Sequence, residues 1–411
     1  MRGRTRMLAV ATGTLLLSVL VWFNYSAVLP LIVEDWGLSG TDAGVIFGAF
    51  QAGYMLAIIP MGMLADRYSP RPVVAVGAVG TGVASLAFAG VADGFLVGTA
   101  LRFLGGMAMA GIYVPGMRFV SDWYPESERG RAMGVYVGGF SFSSGLSFLL
   151  ASNIAAAVGW RTAVAATSVG ALVAGPAFLA LARESPSATA RGDESGESGE
   201  SGGFSFDLSL LRNRTYLSAV GVYSFHSWEV LGVRNWLLAF LVTVPAVVAA
   251  GGTALAGTLV GVTMAVGGAG NLVGGWLSDR IGRARTVAVA LAVSGLISAS
   301  IVALAGLSLP ALVALLLVYG LALTADSSPT STAVTEAVAD DRVGTALSVQ
   351  SFVGFFATVI SPVVFGLALD YSGFGLAFVT LALGAAAGLV CTAALSRFRS
   401  APAADTAGGP A

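Results

Sequence analysis

The stretch Gly62-Met-Leu-Ala-Asp66-Arg67-Tyr-Ser-Pro-Arg71-Pro72 closes one long apolar run and opens the next. A second copy, Gly275-Trp-Leu-Ser-Asp279-Arg280-Ile-Gly-Arg283-Ala-Arg285, again separates two apolar runs. Asp66 and Asp279 stand 213 residues apart, about half of the 411-residue chain. An Arg beside an acid is ordinary in a polar connector between membrane helices. Two such connectors in register point to a duplicated architecture.

Hydrophobic residues make up 56% of the chain and charged residues 10%, whereas soluble domains carry about 25% charge. The composition is that of a membrane protein. Every basic residue is Arg and the net charge is −1, so nothing suggests a nucleic-acid partner. Cys391 is the only cysteine; it can form no intramolecular disulfide, and a lipid-facing packing role is expected for it. The basic Met1–Arg6 resembles the start of a signal peptide. The apolar run behind it, to about Val33, is too long for such a segment and lacks a small-x-small cleavage site, so it is read as the first helix.

Crossing the hydrocarbon core takes about 20 apolar residues. Runs of that size fall near 7–33, 41–64, 72–92, 94–119, 131–153 and 160–182, then near 213–245, 251–277, 286–308, 310–336, 343–368 and 373–395. Between the two sets of six lies Arg183 to Asp207, with Glu194-Ser-Gly-Glu197-Ser-Gly-Glu200-Ser-Gly-Gly203 at its centre. That composition buries nothing and predicts a disordered acidic tether. The expected divisions are a six-helix half over 1–182, a linker over 183–212, a second six-helix half over 213–396 and a tail over 397–411. An offset of 214 residues also relates Gly106 to Gly320, Pro115 to Pro329, Gly130 to Gly344 and Ala132 to Ala346.

The twin connectors resemble the loop 2–3 and loop 8–9 signature of the major facilitator superfamily of secondary transporters. Asp122-Trp-Tyr-Pro125-Glu-Ser-Glu-Arg129-Gly130-Arg131-Ala-Met-Gly134 resembles that family's loop 4–5, and Gly159-Trp160-Arg161 its loop 5–6. The resemblance spans nearly the whole chain outside the linker and tail. It implies an all-α membrane protein with twelve transmembrane helices in two pseudo-symmetric six-helix halves, working by alternating access. It implies gating roles for Gly62, Asp66, Arg67 and Arg71, and for Gly275, Asp279, Arg280 and Arg283. Asp66 is expected near the start of the eleventh helix, whose N-terminus favours a carboxylate. Eighteen of the 21 Arg fall in connectors on the side of the N-terminus, and only Arg161 on the other. The positive-inside rule then places both termini and the linker in the cytoplasm.

Charges inside apolar runs cost roughly 2.5–3.5 kcal/mol each on insertion scales, so they need partners or water. Five occur: Arg102 in the fourth run, His226, Glu229 and Arg234 in the seventh, and Asp326 in the tenth. The family fold lines its central cavity with helices 1, 4, 7 and 10 and turns 3, 6, 9 and 12 to lipid, and these charges fall on cavity helices. Counting 1.5 Å per residue, Arg102 and Arg234 lie at comparable depth from the side opposite the termini. They are expected to bind an anionic group from opposite halves, with Glu229 neutralising one of them when the site is empty. Tyr113, Tyr223, His226 and Asn24 complete the expected substrate-binding set. Each ionisable residue also has a structural reading: an ion pair for the arginines and acids, helix–helix hydrogen bonds for His226 and Asn24. Glu229 and Asp326 are the proton-coupling candidates.

Gly270-Asn-Leu-Val-Gly274 is read as a helix-packing face. No phosphate loop, zinc spacing or Ser-His-Asp set occurs, so neither an enzyme nor a cofactor is expected. The fifth run lacks the Gly-Pro-x-x-Gly-Gly of drug/proton antiporters, and the second and eighth lack the Arg pair of nitrate porters. His226-Ser-Trp-Glu229 with Arg234-Asn-Trp236 is similar to a run in cyanate-permease-like members, which names no substrate. The expected partners are a small solute, with an anion favoured, membrane lipid and a coupling proton, for a monomer in the cytoplasmic membrane. Two alternatives stand: an exporter of amphipathic compounds, and a receptor or regulator that keeps the fold without turnover.

Overall fold

An apolar run in lipid finds no water for its backbone, so it closes its own hydrogen bonds as a helix. The computed structural model describes residues 2–185, 212–339 and 343–400, and contains helices and no strand among them. The first run is α1 (Arg2–Ala27) with α2 (Leu29–Trp36); then come α3 (Gly40–Arg67) and α4 (Pro70–Val91). The fourth run is α5 (Phe95–Met109) with α6 (Tyr113–Trp123), followed by α7 (Glu126–Val158) and α8 (Trp160–Leu181). After residue 212 come α9 (Arg214–Leu241), α10 (Pro245–Ala250), α11 (Gly252–Ile281) and α12 (Arg283–Ser300). The tenth run is α13 (Leu309–Ala325) with α14 (Ser327–Glu336), and α15 (Val343–Ser400) holds the last two.

Nine spans among the described residues are long and apolar enough to cross a membrane. One of them, in α15, is two helices joined at a break over Ser372 and Gly373. The remaining two crossings are α9 and α12, made less apolar by His226, Glu229 and Arg234 and by Arg283 and Arg285. The molecule is thus an all-α membrane protein of twelve transmembrane helices. Three pairs of successive helices are joined with almost no loop. Each turn rests on a glycine with positive φ: Gly159 at 89°, Gly282 at 87° and Gly373 at 77°, a region that side chains avoid.

The fourth and tenth runs break inside the membrane, at Ala110–Ile112 and at Asp326. Pro115 and Pro329 stand in the first turn after each break. A proline there has no N–H for the carbonyl four residues back, so helix continuity is lost at the same place in both halves.

The helices before residue 185 pack among themselves, as do those after residue 212. The two bundles meet along α3 on α15 and α7 on α11. At the end opposite the termini, called distal below, these pairs touch backbone to backbone. A Cβ on Gly44 would collide with Pro362 O, and one on Gly145 would lie 2.5 Å from Gly261 O. Gly62 lies on the same face of α3 as Gly44, and Gly138 and Gly134 on the same face of α7 as Gly145, at about 100° per residue. None of these three has a neighbour within 4 Å of its would-be Cβ. The bundles therefore converge at the distal end and stand apart toward the end that carries the termini.

Most of the expected tether and tail, 186–211 and 401–411, lies outside the described residues. Of the expected linker, Ser185 is buried and its hydroxyl donates to Asp122 O at 2.6 Å. Past position 396, where the tail was expected to begin, α15 runs on to Ser400. Cys391, expected to face lipid, instead packs on α9, with its Sγ 2.8 Å from the would-be Cβ of Gly221. Gly270 and Gly274 do form a packing face: each lies against α13, at Leu321 and at Ala325.

Candidate functional site

The divergence of the bundles leaves a cavity of about 480 Å³ between them. Its first-half wall is aromatic, with Trp22, Phe23, Tyr54, Tyr113 and Phe140. Its second-half wall carries Tyr223, His226 and Arg234 on α9, hydroxyls from α13 and α14, and Ser351, Phe355 and Thr358 from α15. The bundles are stitched together by polar contacts. Ser26 Oγ donates to Asn235 Oδ1 at 2.8 Å, Gln51 Nε2 to Thr358 Oγ1 at 3.3 Å, and Asp370 accepts from the first turn of α3.

Among the described residues Arg234 is the single arginine on the cavity wall, and no Asp or Glu lines that wall. Its guanidinium stands 5.7 Å from the Phe23 ring centre, and its Nε is buried without a hydrogen-bond partner. No carboxylate is paired with it among the described residues. A cation so placed has unspent donors facing a cavity that lacks negative charge.

Arg102 lies against the same turn of α1 but on its other flank. It donates to Val21 O and Trp22 O, both at 3.1 Å, and its guanidinium carbon sits 4.3 Å from the Phe50 ring centre and 5.3 Å from that of Tyr25. It is 4% exposed and does not line the cavity. The expected pair of arginines facing one anion is therefore absent from this arrangement; α1 stands between them.

Glu229 is separated from Arg234 by five residues, about 140° around the helix. It turns away from the cavity toward α12. Ser294 Oγ donates to its Oε2 at 2.8 Å and Ser298 Oγ to its Oε1 at 2.7 Å, and Ser298 also meets Tyr319 OH at 2.6 Å. The expectation that Glu229 neutralises an arginine is corrected on this geometry; the serines that hold it lie on the inner face of α12, whose other face carries the exposed Val289 and Leu296. Asp326, 1% exposed, pairs with His226 instead: His226 Nδ1 lies 2.8 Å from Asp326 Oδ1, and its Nε2 3.0 Å from Ser327 Oγ. The break before α14 brings Asp326 and Ser327 to the imidazole together. His226 is on the cavity wall and Asp326 behind it.

Tyr113 and Tyr223 face each other across the cavity from α6 and α9. Asn24 does not line it: its Nδ2 donates to Ser85 Oγ and Thr167 Oγ1, both at 3.2 Å, tying α1 to α4 and α8. Trp22, Phe23, Tyr54 and Phe140 on the wall were not among the expected residues. Aromatic residues are frequent in apolar runs, and only the facing of each helix tells cavity from lipid.

The connector residues close on their own bundles. Asp66 pairs with Arg118 of α6; residues 340–342, just before the eleventh helix near whose start it was expected, lie outside the described residues. Arg71 donates to Leu179 O on α8, and Arg67 leans over Tyr68. In the second half Arg283 pairs with Glu336 of α14, and Arg280 stacks on Trp276 at 3.8 Å beside Asp279. Gly62 and Gly275 lie in the last turns before these connectors.

Comparisons agree with this architecture. The model of the Major Facilitator Superfamily matches residues 11–307 and 241–410. The chain is 34% identical over 145 residues to a nitrate/nitrite transporter of Picosynechococcus sp., covering 35% of this chain and 27% of that one. It is 25% identical over 304 residues to a gallate transporter of Pseudomonas putida, covering 69% and 66%. The match thus spans less than two thirds of either relative. The crystal structure of a bacterial homologue of the human lysosomal transporter Spinster, inward-facing and occupied, superposes with a TM-score of 0.77 at 18% identity over 97% of both chains. The duplicated connectors, the twelve-helix fold and the match along both halves identify this chain as a member of the Major Facilitator Superfamily.

Proposed function

We propose that this protein carries a small anion across the cytoplasmic membrane by exposing one central cavity to each side in turn. The observation that carries the reading is Arg234, an arginine on the cavity wall with no acid beside it. Arginine offers a planar donor fork that matches a carboxylate or similar oxyanion. Transport of nitrate/nitrite and of gallate by two relatives supports the same charge class.

In this reading residues 1–182 and 213–396 rock as two bodies about the site, with the linker 183–212 and both termini in the cytoplasm. The protein acts as a monomer with lipid on its outer faces. The cavity then faces the cytoplasm in the conformation described above. The connectors around Asp66 and Asp279 lock the cytoplasmic ends together in the opposite conformation, exchanging their present partners for ones across the gap. His226 and Asp326 hold the coupling proton beside the anion site.

The test is counterflow in proteoliposomes with a pooled anion library, followed by Arg234→Lys. A lysine keeps the charge but not the fork, so a loss of at least tenfold in apparent affinity is expected, about 1.4 kcal/mol. A neutral or cationic substrate, or an unaltered affinity in Arg234→Lys, overturns the reading.

A further inference from the structure

We infer that Ser327 is the side chain through which the coupling proton acts on the anion. Its hydroxyl donates to His226 while the His226–Asp326 pair is unloaded, and turns to donate to the anion once the pair has taken its proton. The inference rests on the reading above, which puts that proton on the pair, and adds the contact that carries its effect to the ligand.

Asp326 is 1% exposed and does not line the cavity; the imidazole stands between them. His226 Nδ1 and Asp326 Oδ1, 2.8 Å apart, must hold one hydrogen between them, since otherwise two lone pairs would face each other. In the unloaded pair, an ionised carboxylate and a neutral imidazole, that hydrogen is the only one on the ring nitrogens. Nε2 is then an acceptor, and Ser327 Oγ, 3.0 Å away, donates to it. The next hydrogen goes to Nε2, where Ser327 Oγ can receive it; Asp326 Oδ2 is buried and has no partner to do so. This holds whether the first hydrogen sits on Nδ1 or on Oδ1. Nε2 now donates, Ser327 Oγ accepts, and the serine's own hydrogen must turn elsewhere.

The cavity is where it can turn, because Ser327 lines it. Thr324, one turn earlier, lines both the cavity and a small recess beside Arg234. Arg234 follows His226 by eight residues, about 12 Å along α9, and helical side chains lean back toward the N-terminus. An anion on its fork therefore lies between the two. The other ionisable groups on the wall are Tyr54, Tyr113 and Tyr223, and Glu229 has both oxygens on serines of α12. Thr324 and Thr358 donate to main-chain carbonyls, which never become donors. Gln51, Asn271, Ser227, Ser331 and Ser351 border the same space. Among the described residues it is Ser327 that bonds to the imidazole from the cavity wall.

The chain has one histidine, so nitrogen-15 histidine labelling of the full-length protein in nanodiscs reports the two ring nitrogens of His226 alone. Over about pH 4 to about pH 10, wider than the ordinary imidazole range, Nε2 should be bare at the alkaline end and protonated at the acid end. Isothermal titration with acetate, benzoate and nitrate on both sides of that transition should show tighter binding once Nε2 is protonated. Ser327→Ala should remove at least about tenfold of that rise, the worth of a hydrogen bond to an ion, and Ser327→Thr should keep it. If Nε2 titrates and Ser327→Ala keeps the whole rise, Ser327 is not the link, and coupling through the pair stands. If Nε2 carries a hydrogen at every pH, or at none, the Ser327 inference and the placing of the proton on the pair both fail. If none of the three anions binds, the anion reading falls with them.

Discussion

Thr41 gives Asp370 two hydrogen bonds, from its backbone N–H at 2.8 Å and its hydroxyl at 2.6 Å, and so clasps the first bundle to the second at the distal end. Gly40 N–H adds a third at 2.6 Å. The reciprocal cap of Ser39 and Asp42 takes the N–H groups of those two residues, and Asp370, from the other bundle, takes the two that remain between them, Gly40 and Thr41. Asp370 therefore acts between bundles, at a helix end whose dipole favours an anion. In Asp370→Asn the distal seal should weaken by about 1 kcal/mol for this exposed cap, roughly fivefold in population. The readout is maleimide labelling of Val363→Cys, in a Cys391→Ser background, from the distal side. Unchanged labelling would show that the clasp does not hold the seal.

Arg102 and Arg234 should separate cleanly in two measurements. Arg102→Met removes two hydrogen bonds and two cation–π contacts from a packed site, a loss of about 1–3 kcal/mol. It should lower the thermal midpoint and leave anion affinity unchanged in the protein that remains folded. Arg234→Met should leave the midpoint in place and abolish anion binding. If Arg102→Met weakens anion binding as much as Arg234→Met does, both arginines serve the ligand.

The two buried acids should differ in the same way. Glu229 sits on two serines away from the cavity, and Gln can keep both contacts by accepting from one hydroxyl and donating to the other. Glu229→Gln should therefore still accumulate solute against a gradient. Asp326→Asn should lose gradient-driven accumulation and retain exchange, since the His226 pair beside the cavity is neutralised. Accumulation by Asp326→Asn with none by Glu229→Gln would move the coupling site to Glu229.

Gly44 and Gly62 test the rocking motion from the two ends. Any Cβ at position 44 meets Pro362 O, and overpacking of this kind costs typically 1–3 kcal/mol. Gly44→Ala should open the distal seal and raise Val363→Cys labelling. Gly62→Leu has room in the present conformation, so binding and stability should be preserved. If the bundles close at that end during the cycle, its transport should fall at least tenfold. Wild-type transport by Gly62→Leu would refute closure along that face.

The family and the repeat were legible in the chain because they depend on local chemistry. Twelve apolar stretches must be helices in lipid whatever their neighbours are, and the connectors at Asp66 and Asp279 lie in register on the chain itself. The matched prolines at 115 and 329 lie in register on the chain too, and the structure puts a helix break just before each. The partners of the buried charges were not legible. The resemblance to the family fold placed Arg102, Glu229 and Arg234 on cavity helices, but the rotation of each helix decides what a side chain meets. That rotation comes from packing spread over many residues. Thus α1 separates the two arginines, the serines of α12 take Glu229, and a break in the tenth run brings Asp326 to His226. The closed distal end was likewise a product of glycines from two bundles meeting, since a glycine shows in the sequence only that a close approach is allowed, and not which backbone makes it.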